Sequence, residues 1–130
     1  MDELEEAVES LGLEKFKRHI FLCCDQSEPL CCSKKAGLRS WDFLKKRLKE
    51  LKLAGSEPIV FRSKVNCLRV CVNGPIAVVY PEGTWYHSCT EEVLEEIIQE
   101  HLIKGRIVKQ YAFARNPNFE KDSGRGKSRL

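Results

Sequence analysis

Cysteine placement constrains this chain more than any other feature. Seven cysteines occur in 130 residues, and six of them fall in two short segments. Cys23, Cys24, Cys31 and Cys32 make the first group, Cys67 and Cys71 the second, and Cys89 stands apart. Each group follows an apolar run of strand length, at 18–23 and 58–65. An isolated cysteine is commonly a small buried hydrophobe in phase with a core face, and Cys89 is read that way. Thiols gathered at two strand ends are not. The opening Met1-Asp2-Glu3-Leu4-Glu5-Glu6 is acidic where a secretory or transit leader would be basic. No apolar run approaches the roughly 18 residues of a membrane span. The expected compartment is therefore the cytoplasm, where structural disulfides are disfavoured and clustered thiols point to metal binding or redox chemistry.

The length suits a single domain, and 42% hydrophobic with 32% charged residues suits a soluble globular one. The net charge of +3 resembles a nucleic-acid signal until it is divided along the chain. Residues 115–130 carry five basic and two acidic side chains, so the rest is neutral. A neutral body without interleaved basic and aromatic residues argues against nucleic acid as a partner, and nothing points to a membrane. The last segment, rich in Gly, Ser and Asn, is read as a flexible basic tail.

Periodicity supplies the elements. Leu4, Val8, Leu11 and Leu13 among glutamates predict an amphipathic N-terminal helix, broken near Gly12, as an extension over 1–17. A first strand spans 18–23. Ser40 is expected to cap a helix whose buried face is Trp41, Leu44, Leu48 and Leu51. A second strand follows at 58–65. A hairpin then joins 75–80 to 85–87 through Pro81-Glu82-Gly83-Thr84. Thr90 is expected to cap a last helix that buries Val93, Leu94, Ile97, Ile98, His101 and Leu102, with Gly105 ending it. The order predicts an α/β fold: a thioredoxin-like domain over 18–114, with a four-stranded mixed sheet, flanking helices and the extra N-terminal helix. Both cysteine loops then leave parallel strands at one sheet edge.

Cys67 and Cys71 form a C-x3-C pair leading into Asn73-Gly74-Pro75. Zinc knuckles and redox dithiols favour two intervening residues, so this spacing fits them poorly. Four thiolates from two loops can instead hold a cluster of two irons. The strings His19-Ile20-Phe21-Leu22-Cys23, Asn66-Cys67-Leu68-Arg69-Val70-Cys71-Val72-Asn73-Gly74-Pro75, Val78-Val79-Tyr80-Pro81-Glu82-Gly83-Thr84-Trp85-Tyr86 and Glu95-Glu96-Ile97-Ile98-Gln99-Glu100-His101-Leu102-Ile103 together resemble the thioredoxin-like [2Fe-2S] ferredoxin family. The resemblance runs from about His19 to Val108. It implies one [2Fe-2S] cluster as cofactor, single-electron transfer to redox partner proteins, no enzymatic activity of the chain itself, and compatibility with a homodimer. Residue by residue, it places cluster ligands at Cys23, Cys67 and Cys71. The fourth is Cys32, which precedes Gly37 at the helix start, with Cys31 as its competitor. Cys24, next to Cys23 on an extended segment, points the other way.

The resemblance has consequences for charge. Two ferric ions, two sulfides and four thiolates sum to a net dianion, which gains a third negative charge on reduction. Arg69, inside the C-x3-C loop, is thus a candidate for raising the potential or docking a partner, against the plainer reading of a solvated loop charge. Trp85 and Tyr86 are read as packing aromatics rather than an electron relay. His19, His87 and His101 lack metal-ligand spacing. Two other functions remain open from the residues alone: a thiol-disulfide redox or sensing module, and a zinc-stabilised interaction domain.

Overall fold

The computed structural model describes residues 2–24, 26–27, 32–55, 58–70 and 72–117. In chain order the elements are α1 (Glu3–Leu11), β1 (Arg18–Cys23), α2 (Lys34–Glu50), β2 (Val60–Val65), β3 (Ala77–Tyr80), β4 (Thr84–Tyr86), α3 (Glu91–Glu96), a π-helical continuation of α3 (Ile97–Ile103), and β5 (Ala112–Arg115). α1 opens with a capping box: the Glu5 N–H donates to the Asp2 carboxylate at 2.8 Å, and the Asp2 N–H donates to the Glu5 carboxylate at 3.2 Å. Gly12 ends it at φ 67°, a left-handed conformation where a Cβ would also lie 2.7 Å from Pro58 Cδ.

The five strands form one sheet in the order β2-β1-β3-β4-β5. β1 and β2 are parallel, with Cys23 opposite Val65, and every other pairing is antiparallel. This is the expected mixed sheet with one strand more than expected. β5 was not legible because Ala112-Phe113-Ala114-Arg115 carries no β-branched residue and is largely exposed at the sheet edge. It is held by pairing to β4 across a register shift at Trp85/Tyr86. Arg115, the first residue assigned to the basic tail, ends this strand, and 118–130 of that tail lie outside the described residues.

A second difference concerns the start of α2. Its N-cap is Ser33, whose Oγ accepts from the Ala36 N–H at 3.0 Å, and not Ser40. Lys34-Lys35-Ala36-Gly37 has no apolar periodicity and contains a helix breaker, so nothing in its pattern extends the helix backward. Ser40 is instead buried inside α2, and its Oγ–H donates to the Cys89 carbonyl at 2.8 Å. Thr90 does occupy the N-cap of α3, but its side chain makes no capping hydrogen bond. There Glu91 and Glu92 satisfy the macrodipole of the first turn.

The helices cover one face of the sheet. Ile20 and Leu22 of β1, Val60 of β2 and Val79 of β3 meet Leu44 and Leu48 of α2, and Leu94, Ile97, Ile98 and Leu102 of α3 and its continuation. All are buried, as period-two and helical spacing demand. Arg47 of α2 clasps Glu95 of α3 with hydrogen bonds of 2.8 and 2.9 Å.

Under the β3–β4 turn lies a polar chain. The Val108 N–H donates to Tyr86 Oη (3.1 Å), the Tyr86 hydroxyl donates to His101 Nδ1 (2.8 Å), and His101 Nε2–H donates to Glu82 Oε1 (3.0 Å). Because Tyr86 already accepts from Val108, its own proton goes to Nδ1, which leaves the neutral imidazole protonated on Nε2. Arg18 closes the chain with bonds of 2.7 and 3.2 Å to Glu82. Burial pushes the His101 pKa down, against the pull of Glu82. Burial alone would raise Glu82, but hydrogen bonds from Arg18 and His101 outweigh it and hold the carboxyl below its ordinary range. Burial also pushes the Tyr86 phenol up to about 12, so it stays a donor.

Two predictions follow from this packing. In the polar chain both shifts lower the folded-state pKa, so the unfolded chain binds more protons in acid and stability falls with pH. The loss begins below 6.5, the ordinary histidine value, and Glu82 adds to it below 4.5. Thermal melts should show Tm falling from pH 7.5 to 5. His101→Gln should flatten that slope, and Glu82→Gln, which leaves Arg18 unpaired, should cost about 3 kcal/mol at neutral pH. At the other end of the sheet, a Cβ on Gly37 of α2 would lie 3.1 Å from Cys24 Cα and 3.2 Å from Cys24 Cβ. Cys24 cannot yield, since its N–H is bonded to Val65 O and that of Cys23 to Ile76 O. Gly37→Ala gains about 1 kcal/mol of helix propensity but overpacks by about 1–3. Chemical denaturation should register net destabilisation.

Candidate metal centre

Parallel pairing sets the two cysteine loops side by side. Cys23 is the last residue of β1, buried, with its Sγ 3.7 Å from the Asn66 carbonyl. Asn66 directly follows β2 and latches the loops together: its Oδ1 accepts from the Ser27 N–H at 2.8 Å, and its Nδ2–H donates to Ser27 Oγ at 2.9 Å. The next residue is Cys67. Its exposed Sγ accepts from the Arg69 N–H at 3.2 Å, a geometry that needs Arg69 in the left-handed region at φ 75°. The loop exit is pinned from the β4–α3 connection, where Ser88 N–H bonds Asn73 O and Cys89 N–H bonds Pro75 O.

Cys32 sits immediately before the Ser33 cap, half-buried, and accepts from Gln26 Nε2–H at 3.5 Å. Cys24, 1% exposed, lies against Gly37 of α2. Cys89 is fully buried and burial pushes its thiol up, as befits a core residue. Cys31 and Cys71 lie outside the described residues. Cys23 and the start of the C-x3-C loop are thus brought together, whereas among the described residues no three His, Cys, Asp or Glu converge as a metal site.

The donor set nonetheless suits an iron–sulfur group. Its candidates are all thiols, and two of the described sulfurs, those of Cys67 and Cys32, accept N–H bonds, which stabilise negative charge on sulfur. The histidines are engaged elsewhere: His19 with Ser63 at 2.8 Å and stacked on Phe21, His87 with Ser88, His101 in the polar chain. Tyr86 is fully buried, and Trp85 packs edge-on to Phe113, in keeping with a packing role. Sequence reading had given no role to Asn66, Ser27 or Gln26. The signal available was Asn66 standing directly between a strand and a ligand candidate, where an amide can bond neighbouring backbone.

No protein-family model matches the chain. It is 33% identical over 99 residues to a 2Fe-2S ferredoxin of Clostridium pasteurianum, covering 72% of this chain and 93% of the relative. It is 31% identical over 104 residues to a putative 2Fe-2S ferredoxin of Priestia megaterium, covering 80% and 76%. Among solved structures, the thioredoxin-like [2Fe-2S] ferredoxin of Aquifex aeolicus superposes with a TM-score of 0.65 at 23% identity, over 78% of this chain and 94% of the other. With sequence identity of that order across most of the domain and the fold to match, this chain belongs to the thioredoxin-like [2Fe-2S] ferredoxin family.

Proposed function

We propose that the protein is a one-electron carrier that holds a [2Fe-2S] cluster through Cys23, Cys32, Cys67 and Cys71 and docks transiently with redox partner proteins in the cytoplasm. The observation that carries this reading is the Asn66–Ser27 latch, which fixes two thiol-bearing strand ends beside each other in a chain related to 2Fe-2S ferredoxins. When bound, such a cluster accepts and releases one electron at a time. The chain's own groups do the rest. Cys23, at 3% exposure, gives one side of the site a dry wall, while exposed Cys67 gives the other a short path to a partner. The Arg69 N–H and the Gln26 amide offset negative charge on the sulfurs, which eases reduction. Arg69 contributes through its backbone, its side chain being exposed. Cys32 is preferred to Cys31 for its place before Gly37 at the start of α2, and its sulfur accepts from the Gln26 amide. The carrier reading, with no reaction of its own, applies to a domain of about 18–114 between the N-terminal extension and the basic tail.

Anaerobic purification should yield a brown protein with about two irons and two acid-labile sulfides per chain, bleached by dithionite. A chain that stays colourless after reconstitution with iron and sulfide overturns the reading in favour of zinc or thiol chemistry. Cys23→Ser and Cys67→Ser should each lose or shift the visible spectrum, whereas Cys24→Ser and Cys89→Ala should keep it. Asn66→Ala should retain the fold by circular dichroism yet bleach in air several times faster, since the loops lose their shared amide.

A further inference from the structure

The exposed charges of α2 are not scattered. Lys35, Arg39, Lys46 and Lys49 are all exposed and recur at intervals of four, seven and three, which sets them on one ridge of the helix. Fourteen residues at the helical rise extend that ridge over about 21 Å. Among the described residues the ion pairs of α2 belong to other cations: Lys45 lies 3.7 Å from Asp42, and Arg47 binds Glu50 and Glu95. The carboxylates that approach the ridge are Asp42, within it, and Glu91 of α3, which shares a shallow depression with Lys35, Arg39 and Lys46.

The ridge joins two features. At one end Lys35 stands three residues after Cys32, and the exposed Arg69 lies in the second cysteine loop. At the other end Lys46 and Lys49, with Arg62, rim a groove of about 840 Å³ between α2, β2 and the C-terminal end of α1, with Leu11, Pro58 and Phe61 in its lining.

We propose that this ridge is the docking surface for the redox partner, and that the partner meets it with an acidic protein face whose apolar side chain enters the groove. The proposal rests on the carrier reading and deepens it by giving the partner a charge. The net negative charge of a [2Fe-2S] site by itself repels an acidic protein. The cations of α2 reverse that sign along the approach, because the fields of exposed charges sum over distances of about a Debye length. Strung out from the Cys32 end, they also orient the partner, with the groove holding the far end of the contact. A protein face suits the ridge better than nucleic acid does. Asp42 interrupts it midway, where a duplex presents about one negative charge per 1.7 Å. Phe61 is stacked on Phe16 rather than open to a base.

The test uses the holoprotein, its cluster content read first from iron, sulfide and the visible spectrum. Poly-L-glutamate stands in for the acidic face, with titration calorimetry at about 10 mM ionic strength, where the Debye length is about 30 Å. It should bind, and Lys35→Glu with Arg39→Glu, or Lys46→Glu with Lys49→Glu, should each raise the dissociation constant at least about fivefold. In stopped flow the reduced protein gives one electron to cobalt(III)–EDTA, an anion, or to hexaamminecobalt(III), a cation, and cobalt(II) is formed. At about 0.1 M salt, Lys35→Glu with Arg39→Glu should slow the anion and speed the cation at least about twofold, with spectrum and Tm unchanged. Lys46→Glu with Lys49→Glu, beginning about 16 Å further along the helix, should leave both small reagents unaffected while still weakening poly-L-glutamate.

A holoprotein that ignores poly-L-glutamate, or binds it equally after both reversals, overturns the docking surface and leaves the carrier reading intact. Oxidation rates indifferent to Lys35 and Arg39 do the same. So does a short DNA duplex that binds more tightly than poly-L-glutamate at equal salt and is lost with the same reversals, which makes the ridge a nucleic-acid contact. A chain that takes up no iron and sulfide fails the carrier reading instead, and the redox partner falls with it.

Discussion

The parallel pairing of β1 with β2 is the constraint on which the rest depends. A parallel pair needs a crossover between its strands, and α2 is that crossover, so the helix that covers the sheet also fixes which strand ends meet. Its register, Cys23 opposite Val65, decides that Asn66 emerges beside the first cysteine loop. A slip of one residue would turn Cys23 to the α2 side and put Cys24 where Cys23 now stands. The antiparallel pairing of β1 with β3 guards against this, because Ile20 and Leu22 must face Leu44 and Leu48 while His19 and Phe21 take the other face. Hydrophobic burial thus chooses which thiol reaches the second loop.

Polar groups are arranged differently at the two ends of the sheet. At one end, Arg18, Glu82, His101 and Tyr86 form a chain in which each donor meets an acceptor and the single ion pair is net neutral, so burial costs little beyond desolvation. At the other end, two of the described sulfurs collect N–H donors. Cys67 relies on a backbone amide turned by a left-handed Arg69, and Cys32 on a glutamine side chain. Amide dipoles suit a group that must change charge. A guanidinium in contact would hold one charge state fast, whereas oriented N–H groups favour the reduced state by a smaller increment.

Much of this was legible before any coordinates. β1 at Arg18–Cys23, the covering faces of α2 and α3, and the hairpin all follow from period and turn residues, because in each case the apolar pattern is what burial requires. What escaped has a common cause. Ser33 caps a first turn, Lys34-Lys35-Ala36-Gly37, whose burial rests on glycine rather than on an apolar stripe, and β5 exists through pairing rather than propensity. The Asn66 latch and the polar chain under the β3–β4 turn join residues far apart in sequence, His101 to Glu82 and Asn66 to Ser27, and no local pattern encodes such partners. The thiol groups were visible as clusters; which donors face each sulfur was not.

Charge illustrates the same limit from the other side. Summed over residues 1–114 the charges cancel, and it was that sum which argued against a nucleic-acid partner in the sequence. In three dimensions the neutrality is made of separated parts. Asp2 and the glutamates of α1 gather at the N-terminus, while α2 carries Lys34, Lys35, Arg39, Lys45, Lys46, Arg47 and Lys49 against only Asp42 and Glu50. Arg47 is drawn inward by Glu50 and Glu95, which leaves lysines to line the groove. The acidic side chains thus stand on α1 and the basic ones on α2, as separate patches of one chain. Segregation of charge, which composition averages away, is therefore what gives a neutral domain local fields of both signs.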